Sequence, residues 1–285
     1  KISQFTQAEG YRFAYQAARR VKWHRSLMAS WTFDEPWPNS AHGCIVDFYG
    51  LPKHAYYWVQ SALKMVDISL SYSDLWQQAG QQLQAEIWVD NELDHPLHVF
   101  GYSIEYFTLD GAVDLKNHSS PWPMNASVNG SDHINLGRPA LVLPQALVGN
   151  VLVVRLTLWS SPAATLALAT NDYHFAIVKE SAPAASNTQQ VGPLRPMLLL
   201  QTVQLQLAQV GGTKFTVALH AAAANHQASA LFVKPMLIDV NDRQVPYVAF
   251  SQGFVTIRPG SSEEFELLQP GAGNVEPTLF CAEAW

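Results

Sequence analysis

Two adjacent carboxylates, Asp34 and Glu35, lie in the segment Trp31-Thr-Phe-Asp-Glu-Pro-Trp-Pro38, flanked by the indoles of Trp31 and Trp37. Acid–base or nucleophilic work on one bond requires two carboxyl groups facing each other across it, at about 5–5.5 Å when one of them attacks covalently. Neighbouring residues on an extended segment project to opposite sides. Asp34 and Glu35 therefore do not make such a pair, and no catalytic residue is assigned in this chain. They are read either as groups that bind hydroxyls or amines, or as acceptors that fix the loop. Trp37, held between Pro36 and Pro38, either walls a pocket or anchors the loop.

Little else in the sequence has the spacing of a reaction centre. His95 and His98 are the nearest approach to a metal-ligand pair, but Pro96 between them reads as a turn, so neither a metal nor another cofactor is expected. Gly-rich phosphate cradles and nucleophile elbows are missing. Cys44 and Cys281 are too few for a disulfide framework and read as two buried thiols or as one long-range bridge. Trp76 and Trp122 are either sugar platforms or packing residues. The net charge of −6, without a basic block, argues against nucleic acid. No run reaches the roughly 20 apolar residues that span a membrane; Leu194 to Leu207 is interrupted by glutamines.

The elements that must position these residues change character along the chain. Tyr11, Ala14, Tyr15, Ala18 and Val21 repeat with helical spacing and predict one apolar stripe. Arg19, Arg20 and Lys22 fall where cations complement a helix C-terminus. Leu27 to Phe33 is short and mostly apolar, as in a strand buried on both faces. Pro36 and Pro38 end it. A loop through His42, Gly43 and Asp47 leads to Pro52, which suits the first turn of a helix carrying Ala55, Tyr56, Val59, Ala62 and Leu63. Helix, buried strand, loop, helix is an α/β rhythm. From Val66 onward the pattern changes to short strands, at Leu83–Val89, Tyr102–Phe107, Val151–Leu158 and His174–Val178, with a hairpin signal at Asp110-Gly111. Ala182 to Pro196 reads as a linker. A second strand set follows at Leu198–Leu207, Phe215–His220, Ala230–Val233, Met236–Val240, Phe254–Ile257 and Glu264–Leu268.

The motif around Trp31, with its continuation Asp47-Phe-Tyr-Gly-Leu-Pro-Lys53 and Ala55-Tyr-Tyr57, resembles glycoside hydrolase family 2, in particular its β-mannosidase and exo-β-glucosaminidase relatives. There, a last barrel strand reading approximately W-Q-L/F-N-E/D-x-W-P is followed by D-Y-Y/F-G-x-P-K-x-A-Y-Y entering the final barrel helix. Phe254-Val-Thr-Ile-Arg-Pro-Gly260 is similar to that family's C-terminal-domain pattern. Asp34 departs from the usual Asn.

The resemblance implies a mostly β chain: the C-terminal end of a (β/α)8 barrel over residues 1–65, then two immunoglobulin-like β-sandwiches over 66–181 and 182–285. It implies a part or subunit of a retaining β-glycosidase acting on β-mannosides, β-glucosaminides or β-galactosides. Trp31, at a strand mouth, would stack on the sugar, and Asp34, Glu35 and Trp37 would complete the substrate contacts. The catalytic glutamates of the family lie on the fourth and seventh barrel strands, both expected before Lys1, in a polypeptide that would be this chain's partner. A start inside structured sequence fits a processed precursor or a chain cut from a longer one. The alternative is a non-catalytic carbohydrate-binding or structural protein derived from such an enzyme. Three sequons, at Asn117, Asn125 and Asn129, are candidate glycosylation sites and tilt the compartment toward a secretory or lysosome-like route.

Overall fold

The computed structural model describes residues 2–25, 27–39, 43–110, 115, 118–161, 166–179, 205–219, 228–241, 243–270 and 279–284. The expected linker at Ala182–Pro196, and the sequon at Asn117, lie outside them. Two helices, α1 (Ile2–Arg19) and α2 (His54–Ala62), precede a series of strands. The chain forms two compact units, one of Phe13–Leu27 with Ser61–Leu199, the other of Lys1–Arg12 with Met28–Gln60 and Leu200–Trp285.

The first unit holds β1 (Val66–Tyr72), β2 (Trp76–Gln78), β3 (Ala85–Asn91), β4 (Leu97–Thr108), β5 (His118–Val128), β6 (Asp132–Gly137), β7 (Val151–Trp159) and β8 (Ala167–Val178). They form a three-stranded sheet, β1-β3-β6, and a five-stranded sheet, β2-β8-β7-β4-β5. Period-2 alternation sends Ile68, Leu70, Ile87 and Val89 from one sheet, and Ile104, Leu152, Val154, Leu156 and Phe175 from the other, into one shared apolar core. This is the β-sandwich arrangement that the alternating pattern predicts. On the other side of the small sheet, Asp67 and Asp90 stand directly opposite each other on β1 and β3. Both are buried. The end of α1 and the turn after it supply their counter-charges: Arg19 Nη1 lies 4.0 Å from Asp67 and Lys22 Nζ 3.9 Å from Asp90. Gln16 donates to Asp67 at 3.0 Å and accepts from the Tyr173 hydroxyl at 2.9 Å.

That network corrects the expected face of α1. The buried positions are Phe5, Ala8, Glu9, Arg12, Tyr15, Gln16, Arg19 and Arg20, whereas Val21 is exposed and Tyr11, Ala14 and Ala18 are half-buried. The periodicity is helical, but its phase is set by ion pairs: polar side chains are buried where partners await them, which an apolar count does not register.

The second unit holds β9 (Leu205–Gly211), β10 (Lys214–Leu219), β11 (Ala230–Ile238), β12 (Val248–Phe250), β13 (Val255–Ile257), β14 (Ser262–Pro270) and β15 (Leu279–Glu283). They build a four-stranded sheet, β12-β14-β10-β9, and a three-stranded one, β13-β11-β15. Phe215, Val217, Phe250 and Phe265 are buried from the first sheet, and Leu231, Val233 and Ile257 from the second. β11 joins what read as two strands in sequence. It runs through Pro235, which pairs in register with Ala282 of β15, a strand at the sheet's edge.

The expected buried strand over residues 27–33 does not form. The segment is largely exposed, Leu27 at 86% and Trp31 at 83%. A strand buried on both faces needs neighbours on both sides. Here the N–H groups of Ile45 and Val46 both donate to the Phe33 carbonyl, at 3.1 and 3.0 Å.

Candidate functional site

The motif residues fold into two arms held together by local bonds. Asp34 bridges Val46, and Lys53 N–H donates to the Ile45 carbonyl at 3.0 Å. Between the arms, the buried Cys44 thiol lies 2.7 Å from Thr32 Oγ1 and donates to the Asp34 carbonyl at 3.0 Å. The Cys281 side chain, the other member of the alternative long-range bridge, lies outside the described residues. From α1, Gln7 Nε2 donates to the Gly43 carbonyl at 2.7 Å, and the Tyr11 hydroxyl reaches the carbonyls of Gly43 and Trp31 at 3.1 and 3.3 Å. The half-buried Tyr11 therefore serves as a tether of the Trp31 arm rather than as part of an apolar stripe.

A tight turn closes the second arm. The Asp47 carboxylate accepts from the N–H groups of Tyr49 (2.9 Å) and Leu51 (2.8 Å), while Gly50 N–H donates to the Asp47 carbonyl at 2.9 Å. Gly50 has φ +74°, the left-handed conformation that glycine adopts without a Cβ penalty. Glu35, Pro38, Asn39, Asp47, Phe48 and Tyr49 line an open cleft of about 370 Å³ between the arms.

Of the four residues expected to bind substrate, Glu35 lines this cleft. It is buried and ion-paired with Lys53, so its charge is held in place by the residue that ends the second motif. Trp31 and Trp37 are exposed at 83% and 59%. Asp34 is exposed and contributes its backbone to the arm pairing. Adjacent Asp34 and Glu35 thus have opposite surroundings. Sequence reasoning assigned no role to Asn39, Asp47, Phe48, Tyr49 or Lys53, although four of these stand in or beside the quoted Asp47–Lys53 motif.

Below the cleft, α2 is anchored by aromatic packing. His54 is buried against Phe254 (ring centroids 4.4 Å apart), Trp58 (4.3 Å) and Phe232 (4.6 Å). Arg12 lies 3.9 Å over the Trp58 ring and pairs with Glu9 at 2.5 Å. Burial pushes the Tyr57 phenol well above its ordinary range, so it remains neutral in this core.

The other candidates lie apart from the cleft residues. His95 pairs with Asp94 at 2.7 Å in an exposed loop, and His98 is exposed on β4. Among the described residues no three His, Cys, Asp or Glu gather as a metal site, and no helix is long and apolar enough to cross a membrane. Trp76 lies on β2 and Trp122 on β5. Of the sequons, Asn125 falls within β5 and Asn129 is exposed between β5 and β6.

No family model matches the sequence, and no curated protein does. Solved structures do share the fold. The exo-chitosanase CsxA of Amycolatopsis orientalis matches 93% of this chain with a TM-score of 0.62 at 18% identity, over 31% of its own length. A complex of a variant of that enzyme with PNP-β-D-glucosamine matches 92% with a TM-score of 0.63 at 18% identity, over 30% of its length. An exo-β-D-glucosaminidase CsxA structure with inhibitors matches 92% with a TM-score of 0.61 at 16% identity. The chain therefore spans about 30% of the length of the glycoside hydrolases whose fold it shares.

Proposed function

We propose that this chain is the C-terminal part, or a subunit, of a retaining β-glycosidase of the glycoside hydrolase family 2 type. In this reading residues 1–65 are the last elements of a (β/α)8 barrel, and residues 66–181 and 182–285 are the two sandwiches that follow. The catalytic glutamates belong to a preceding polypeptide, which packs on the arms of the cleft. The substrate is a β-linked mannoside, glucosaminide or galactoside.

One observation carries the reading: the exposed aromatics Trp31, Trp37, Phe48 and Tyr49 stand on the same two arms as a fixed carboxylate, Glu35. Exposed indoles beside an anchored acceptor suit the apolar face and the hydroxyl or amine edge of a sugar ring. Trp31 would stack on the ring held in the subsite of the cleaved sugar. Glu35 would accept from it, with Lys53 as counter-ion. Asp34 and Trp37 would complete the contacts. The fold shared with exo-β-glucosaminidases over more than 90% of the chain supports the assignment.

Trp31→Ala in the assembled enzyme is expected to lower kcat/KM on the best aryl β-glycoside by about 30-fold, the equivalent of about 2 kcal/mol of lost apolar contact. A value within twofold of the unaltered enzyme would remove Trp31 from the site.

The second reading is a non-catalytic sugar-binding or structural protein, in which the same exposed aromatics and anchored Glu35 hold a sugar. Hydrolysis by the native material separates the two: the binder takes up sugar without cleaving it.

A further inference from the structure

The turn that carries Asp47, Phe48 and Tyr49 is fastened to a residue nearly 200 positions away. Tyr247 N–H donates to the Gly50 carbonyl at 2.7 Å, and a Cβ added to Gly50 would lie 2.7 Å from the Tyr247 ring. The ring therefore lies directly on the α-carbon of Gly50. Tyr247 itself has φ 55°, a conformation disfavoured for a bulky side chain, and it is 45% exposed. A half-exposed ring contributes modestly to a core.

Its own segment is held without the ring. Val245 N–H donates to the Leu237 carbonyl at 2.9 Å, and Gln244 bridges Ile238. The joint between α2 and the sandwich is likewise made elsewhere, by Gln60 with the Phe250 carbonyl at 3.2 Å and by the close approach of Gly253 to the Tyr57 ring. What remains for the Tyr247 ring is the turn.

We propose that Tyr247 is a positioning residue for the cleft: through Gly50 it fixes the turn 47–51, so that the C-terminal sandwich sets where Asp47, Phe48 and Tyr49 stand. The contact acts in two directions. Gly50 is the one residue type that admits both the left-handed turn and the ring, and Tyr247 gives up regular strand geometry to donate its N–H there. That the occupant of the cleft is a sugar rests on the proposed function; the positioning itself does not.

The test is hydrogen exchange on the whole chain, read at the amides of Tyr49, Gly50 and Leu51, which the turn protects. Tyr247→Ala is expected to speed exchange there by about tenfold or more while leaving β11 and β14 unchanged. Gly50→Ala, which pushes the ring away from the other side, is expected to do the same, and Tyr247→Phe to restore protection. Methyl β-D-glucosaminide, titrated against tryptophan fluorescence, is the parallel probe, with binding weakened at least about fivefold by Tyr247→Ala and recovered by Tyr247→Phe. Unchanged exchange at the three amides in Tyr247→Ala, or failure of the Phe variant to restore it, overturns the proposal. If the unaltered chain binds none of the methyl β-glucosaminide, β-mannoside and β-galactoside, the sugar reading fails, and the exchange result alone upholds or overturns the role of Tyr247.

Discussion

Arg19→Met is expected to destabilise the first unit by about 3–5 kcal/mol, the range for removing one partner of a buried ion pair. Arg19 is 9% exposed. Its guanidinium donates to the Ala62 carbonyl at 2.6 Å and to Glu92 at 3.2 Å, and lies 4.0 Å from Asp67. Methionine fills a similar volume but leaves that carbonyl without its donor and the buried Asp67 carboxylate without its nearest cation. Gln16 and Asn171 still donate to Asp67, at 3.0 and 2.6 Å, which limits the loss. Arg19→Lys keeps the charge but not the fork, and should fall between the two. Because two units need not unfold together, the measurement is the denaturant dependence of amide exchange in β1 and β3. A loss below about 1 kcal/mol would show that the network is a passenger on the sandwich core.

Asp90→Asn is expected to show itself through pH. Asp90 is fully buried, and neither carboxylate oxygen accepts a hydrogen bond. Burial raises its pKa from 3.8 to about 6; Arg19, Lys22 and Arg20 oppose the rise, and the like charge of Asp67 adds to it. An unfolded Asp titrates near 3.9. Between these values the folded chain binds more protons than the unfolded one, so stability falls as pH rises. The contribution is full below about pH 4 and lost above about pH 6, a change of about 3 kcal/mol. Asparagine does not titrate. Whatever its amide costs in that place, the difference between variant and unaltered chain should move by about 3 kcal/mol in favour of the variant between pH 4 and pH 7. Parallel stability curves would mean that Asp90 is charged throughout and held by its cations.

Both effects arise where the sequence is least legible. The alternation in Leu83–Val89, Tyr102–Phe107, Val151–Leu158 and His174–Val178 is a local signal, and strands stand at each of these places. The network of Arg19, Lys22, Asp67 and Asp90 is not local. Each residue reads alone as a surface charge, and only the packing of α1 on β1 and β3 makes them partners. The same holds for Tyr247, whose relation to Gly50 depends on a contact across the sequence. In the other direction, Ala230–Val233 and Met236–Val240 read as two strands, whereas β11 runs unbroken from Ala230 to Ile238. For the cleft, the Trp31–Pro38 and Asp47–Lys53 motifs brought the right segments into view, and Glu35 with them. Which carboxylate is buried, and that Asp47 holds a turn, follow from backbone geometry that residue types do not encode.

A glycosidase lacking its catalytic glutamates in this chain must work with a companion that carries them. Native mass spectrometry of the protein from its natural source, with each assembly then assayed on aryl β-mannosides, β-glucosaminides and β-galactosides, addresses that directly. The predicted result is a species larger than this chain alone, carrying the barrel polypeptide and releasing the aryl group from one of the three. A folded, solitary chain that hydrolyses none of them would contradict the glycosidase assignment.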